Sequence, residues 1–283
     1  MKIARNFGFM MAFWLVSCVS NESNFLDKIV VEPVGNEAGV PLYVQSSGEQ
    51  VGPEGVPIQW FSCTKEPYYP FLVMISPTQG EFTKAQSCSH VAALEGMKNG
   101  FNILLVNTPM QPTLSQSNSF GEEASLKQIL KFLTLQAQEG RQLIGLWGFG
   151  DGSILTMQLS RLLPWKFLII GNGIYDWEQT IKESKDPLFT MRLKTAAGHE
   201  AAVFAEKHSV AWDLTGLPKK IYLYHGSKNT QILASQAGQF KTSLAASEYQ
   251  VEVFFLDEDG ADLRMEFHRG VLNKIFSRCQ GGQ

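Results

Sequence analysis

The sequence predicts an α/β fold: a mostly parallel central sheet with helices on both faces and a small helical insertion, a cap, over one end. Three observations predict it. Short continuous apolar runs, such as Phe71–Ser76, Phe101–Asn107 and Lys166–Ile170, are the pattern of strands buried on both faces. Segments of helical period alternate with these runs, which gives βαβ units. The alternation then fails over about residues 175–215, where mostly helical and irregular sequence marks an insertion.

The elements follow in order. Strands are expected around Lys28–Val34, Val40–Gln45 and Val56–Cys63, separated by Gly, Pro and Ser turns; lying close together, they form an antiparallel edge. The strand Phe71–Ser76 comes next. Apolar spacing makes Ser87–Lys98 a helix that Asn99-Gly100 caps. After the strand Phe101–Asn107 and a polar loop, Glu122–Gln138 is an amphipathic helix. Strand Gln142–Trp147, helix Ser153–Leu163 and strand Lys166–Ile170 lead to the insertion. Strand Lys220–Tyr224, helix Leu233–Ala246, strand Val251–Leu256 and helix Arg264–Arg278 close the chain. Ligands of such sheets bind beyond the carboxyl ends of the strands. That end carries 77–82, 108–112, 148–153, 171–176, 226–232 and 257–262.

Composition sets the outer limits. The chain has 283 residues, 44% hydrophobic and 18% charged, which excludes disorder, collagen and coiled coil. A net charge of −3 gives no basic field for nucleic acid. Four cysteines are too few for a disulfide scaffold. Residues 1–17 have the pattern of an export signal, with Lys2 and Arg5 ahead of an apolar run, Phe7–Val16, too short to span a bilayer. Leu15-Val16-Ser17-Cys18 resembles the lipobox of bacterial lipoproteins. That resemblance implies a lipidated Cys18 and a membrane-held protein of the cell envelope, at the outer membrane where there are two, since Val19 rather than Asp follows. A plain signal peptide is the alternative. The expected organisation is a signal at 1–17, a lipidated tether at 18–36 and one domain at 37–283. Losing Lys2 and Arg5 with no acid takes the formal charge from −3 to −5. Cys63, Cys88 and Cys279 remain. Cys63 and Cys88 flank one expected strand and are the preferred pair; three buried thiols are the alternative.

The segment Trp147-Gly148-Phe149-Gly150-Asp151-Gly152-Ser153 lies between a strand and a helix. It resembles the nucleophile elbow, G-x-S-x-G, of the α/β-hydrolase fold, which includes serine esterases and peptidases. Glycine, Gly150, stands where the serine would be. The likeness continues through His225-Gly226-Ser227-Lys228-Asn229, which puts Asn229 at the acid position, and Asp259-Gly260-Ala261, which puts Ala261 at the histidine position. Gly150 has no atom to attack a carbonyl, and Ala261 carries no proton. Asn229 keeps hydrogen-bond geometry without the charge that stabilises an imidazolium. Glycine also relieves the strained elbow backbone, which costs a side-chain residue about 1–3 kcal/mol.

The resemblance therefore implies a hydrolase fold with a degenerate triad, acting by binding a small molecule or protein in the old cleft. The alternative is an active esterase or peptidase using relocated residues, with Ser153 and Asp176 as the fallback nucleophile and acid. A purely structural role is the third reading, expected if side chains of 175–215 fill the cleft. Thr78 and Gln79 match the loop that supplies one oxyanion N–H in relatives. The Asp151 N–H supplies the other, while its carboxylate is expected to cap the helix. His225 reads as packed or hydrogen-bonded, and His268 falls on the last helix. His90, His199 and His208 lack metal spacing. The glycines 148, 150 and 152 have the wrong spacing for a dinucleotide turn, and the acidic run 257–262 lacks the terminal glutamate of a calcium loop, so no cofactor or metal is expected. Trp147 is expected in the core. For Tyr175, Trp177 and Trp212, core and an apolar groove are both open.

Overall fold

The computed structural model describes residues 27–34, 43–51, 57–76, 88–107, 123–197, 201–209, 213–259 and 268–280. The apolar runs become β4 (Phe71–Ile75), β5 (Asn102–Val106), β6 (Leu143–Phe149), β7 (Phe167–Gly171), β8 (Lys220–Gly226) and β9 (Gln250–Leu256), all parallel. β1 (Asp27–Val34), β2 (Tyr43–Val51) and β3 (Pro57–Thr64) add an antiparallel edge, so the sheet order is β1-β2-β3-β5-β4-β6-β7-β8-β9. β1 pairs with β2 from Asp27 onward, which is the strand expected around Lys28–Val34. Residues 1–17 and Cys18 lie outside the described residues.

Helices cover both faces, because alternate strand residues point to opposite sides. On one face α1 (Val91–Lys98) and α8 (His268–Gln280) bury Val91, Met97, Leu272 and Phe276 against Leu72, Trp147 and Tyr222. On the other, α2 (Glu123–Gln138), α3 (Gly152–Ser160) and α7 (Ala234–Ala246) bury Phe132, Leu155 and Phe240 against Val73, Leu146 and Ile170. Close packing fixes two glycines here. A Cβ on Gly148 would overlap Thr156 of α3, and one on Gly145 would overlap the Phe167 ring. Across the first face, the buried Glu95 carboxylate of α1 pairs with Lys98 at 2.9 Å and with Arg269 of α8 at 3.3 Å.

Two helix boundaries differ from expectation. α1 starts at Val91 rather than Ser87, because the His90 ring caps it: Nδ1 accepts from Ala92 N at 3.3 Å. Cys88 lies before that cap, in a disulfide with Cys63 of β3, Cα–Cα 5.7 Å, so the preferred pair is the one formed. Cys279 is a buried free thiol, held protonated by burial with a pKa pushed up to about 12. α3 stops at Ser160, ahead of Leu162-Leu163-Pro164, since the residue before a proline avoids the helical region. No helix among the described residues is long and apolar enough to cross a membrane.

The insertion after β7 forms α4 (Trp177–Glu183), α5 (Pro187–Ala197) and α6 (Ala201–His208). Its own core, Trp177, Phe189, Leu193 and Ala205, closes on Ile154 at the start of α3, on Ile174 and on Ile232. The cap therefore stands at the carboxyl end of the sheet. Gln236 of α7 fastens it: Oε1 accepts from Tyr175 N and Asp176 N, both at 3.3 Å, and Nε2 donates to Thr180 Oγ1 at 2.7 Å.

Candidate functional site

β6 ends in a turn whose pivot is Gly150, at φ +56°. This is the left-handed region, which favours glycine. Gly150 N donates to Gly171 O at 2.9 Å, and Ser153 N donates to Gly150 O at 3.2 Å as α3 begins. A Cβ built on Gly150 meets no described atom within 4 Å. The strand, sharp turn and helix of an elbow are thus present, with no described atom where a serine side chain would stand.

The neighbouring strand ends are tied to this turn. Asn172, at φ +45°, donates its N–H to Tyr224 O at 2.9 Å and accepts from Gly226 N through Oδ1 at 2.9 Å. It locks the carboxyl ends of β7 and β8 together. Sequence reasoning missed it. The signal was a Gly-Asn-Gly run at a strand end, where asparagine tolerates positive φ and bonds nearby backbone.

Asn229 lies in the loop after β8, two strand spacings or about 10 Å from β6. It is buried, and its Oδ1 accepts from Gln231 N at 2.9 Å and Ile232 N at 3.0 Å. The amide therefore organises its own turn, and an aspartate would accept the same two bonds. The loop after β9 packs directly on this one. Lys228 N donates to Glu258 O at 3.0 Å, and a Cβ on Gly226 would overlap the main chain of Glu258 and Asp259. Ala261, Thr78 and Gln79 lie outside the described residues, as do Trp212 and His199.

The fallback residues are engaged elsewhere. Ser153 is buried, and its Oγ accepts from Ile174 N at 3.0 Å, joining α3 to the strand end after β7. Asp176 is the N-cap of α4, accepting from Gln179 N at 2.9 Å. Ser153→Ala leaves the Ile174 N–H buried without that acceptor. Its expected cost is about 1–3 kcal/mol of stability, read as a lower urea midpoint, with no change in any turnover. Asp151 occupies the N-cap position of α3, but its carboxylate makes no capping hydrogen bond, which corrects that expectation. The residue is already helical, at φ −68° and ψ −25°, whereas a capping side chain needs an extended backbone.

The aromatic residues resolve into core. Trp147 is buried on one face; Tyr175 stacks on Phe240 at 4.5 Å, and Trp177 packs on Phe204 at 4.8 Å. Neither Tyr175 nor Trp177 lines a groove. His268 packs edge-on to Phe149 and Tyr224, at 5.9 and 6.1 Å between ring centroids. This places a buried histidine beside the residue before Gly150. Among the described residues no group of three His, Cys, Asp or Glu side chains is placed to hold a metal.

His225 is buried at the end of β8, and its Nε2 donates to Ile232 O at 2.7 Å. Burial lowers its pKa to about 4, against the opposing effect of that bond. The unfolded chain takes up a proton near pH 6.5 that the folded chain refuses, so stability is full above pH 6.5 and falls on acidification toward 4. About 2 kcal/mol is expected to be lost between pH 6.5 and 5, a slope that His225→Gln removes. Urea midpoints measured across that window test it. Asp186 and Asp213, whose carboxyls are held below their usual range chiefly by backbone N–H donors of Phe189 and Thr215, contribute only at lower pH.

The fold superposes on that of solved structures. Carboxyl esterase 2 of the fungus Tuber melanosporum superposes with a TM-score of 0.64 at 13% identity, over 87% of this chain and 89% of that one. An esterase of the archaeon Pyrobaculum calidifontis gives 0.66 at 11%, over 84% and 85%. The chain has the α/β-hydrolase fold. An acetyl xylan esterase from Paenibacillus sp. R4 gives 0.61 at 12%, over 89% of each chain. No family model and no curated protein matches the sequence. Identities this low speak for the α/β-hydrolase fold alone, and function is argued from the site.

Proposed function

We propose that this α/β-hydrolase-fold chain is a non-hydrolytic binding protein, held on the bacterial envelope membrane by lipid at Cys18, that takes a small-molecule or protein ligand in the cleft above Gly150. One observation carries the reading. The turn at Gly150 keeps the left-handed geometry of a nucleophile elbow and the space for a side chain, yet glycine supplies no hydroxyl. Two others support it. Ser153, the nearest hydroxyl by sequence, accepts the Ile174 N–H, and Asn229, at the position the resemblance assigns to the acid, carries no charge.

The test is purified protein against a panel of p-nitrophenyl esters and aminoacyl p-nitroanilides. The expected result is turnover no faster than buffer. Steady turnover that a serine-directed inhibitor abolishes overturns the reading. Globomycin treatment of the expressing bacterium tests the anchor. The unprocessed form, still carrying residues 1–17, is expected to accumulate.

A further inference from the structure

The cap has two apolar sides, and only one is buried. On α5, Phe189, Leu193 and Ala197 face the cap core. Round the helix from that face, Leu188 and Met191 are 69% and 58% exposed, and Val203 on the adjacent α6 is 59% exposed. A surface helix of a water-soluble domain normally presents charge on that side. Instead α5 carries Arg192 and Lys194 and no acid along its length. Apolar side chains with flanking cations are the composition of a surface that lies in a lipid headgroup region.

Strand direction supplies an independent argument. The parallel strands end at Phe149, Gly171 and Gly226, beneath the cap. β3 runs against them, β2 with them and β1 against them again, through the pairs Trp60 with Val106, Glu49 with Gln59 and Asp27 with Glu49. Asp27 therefore starts β1 at the same end of the sheet. Nine residue steps separate Cys18 from Asp27, a reach of at most about 32 Å. Six strand spacings, about 29 Å, separate β1 from β7, where the cap begins. An anchor at Cys18 thus has the reach to let the cap end of the domain rest on the bilayer that holds it.

We infer that the cap is a membrane-docking surface. Leu188, Met191 and Val203 seat in the anionic lipid interface, and the cleft over Gly150 opens toward the bilayer, so that its ligands are amphiphiles presented from the membrane. The inference rests on the lipid-anchor reading above. The bilayer is the committed occupant, because the tether brings it to this end of the domain and α5 is basic.

The experiment uses the lipidated full chain, purified after expression in a bacterium that processes lipoproteins. It is reconstituted in vesicles of phosphatidylethanolamine and phosphatidylglycerol doped with an acyl-chain nitroxide lipid. Single cysteines, Met191→Cys or Val203→Cys at the cap and Tyr68→Cys or Leu162→Cys at the far end, carry an environment-sensitive fluorophore. Mass spectrometry reads the lipid on Cys18. Quenching at 191 and 203 is expected to exceed that at 68 and 162 at least about twofold, because docked side chains sit ~5–10 Å into the interface. Combining Leu188→Asp with Val203→Asp is expected to remove the excess at 191. Equal quenching at both ends, with lipid present on Cys18, overturns the docking surface and leaves the anchor standing. A chain without lipid on Cys18 overturns both.

Discussion

Replacing Gly150→Ser, Asn229→Asp and Ala261→His together is expected to give a folded protein that slowly hydrolyses activated esters, where the native chain is expected to hydrolyse none. The backbone is ready for the first change. Gly150 already holds φ +56° and its Cβ position is empty among the described atoms, so a serine fits without displacing a neighbour. Its cost is the left-handed backbone alone, about 1–2 kcal/mol. Asn229→Asp keeps the acceptor of the Gln231 and Ile232 N–H groups, so the loop is unchanged while a negative charge appears. Gly150→Ser alone has a hydroxyl without the restored base. A positioned base is worth about 100- to 10,000-fold, so the triple variant is expected to exceed the single one by at least that lower factor. A triple variant that folds and turns over no faster than Gly150→Ser contradicts the assignment of the three positions.

Removing the disulfide as Cys63→Ala with Cys88→Ala is expected to lower stability by about 3–4 kcal/mol, the chain-entropy value for a closed loop of this length. The two cysteines are 25 residues apart, and both are buried in the core between the sheet and α1. The loop they close contains β4 and the segment from Ser76 to Cys88. Freed, the start of α1 keeps the His90 cap and the burial of Val91 and Ala92, and the expected readout is a lower midpoint in urea with an unchanged fold. An unshifted midpoint overturns this account of what holds α1 to β3.

The sheet was legible because its strands carry their burial in their own sequence. Leu143–Phe149 and Phe167–Gly171 are apolar throughout, as strands buried on both faces are. The elbow was legible for the same local reason: Gly148 must admit Thr156, and Gly150 must take positive φ. What escaped the sequence depends on distant partners. Nothing beside Ser153 announces Ile174, and nothing in α7 announces that Gln236 holds Tyr175, Asp176 and Thr180. Tyr175 and Trp177 were open between groove and core because the packing that buries them comes from Phe240 and Phe204, far along the chain. Asp151 was misjudged because capping depends on a backbone angle that residue type alone does not set. His268 was placed on the last helix by sequence, but only the sheet's topology brings that helix beneath Phe149.

Gly150 gives the turn after β6 the geometry of an elbow without a hydroxyl. Incubation with a fluorophosphonate followed by intact-protein mass spectrometry tests it most directly, with the triple variant as the reactive comparison. The native chain is expected to keep its mass while the triple variant gains an adduct on the serine introduced at position 150. An adduct on the native chain that Ser153→Ala or another serine substitution abolishes would contradict the account.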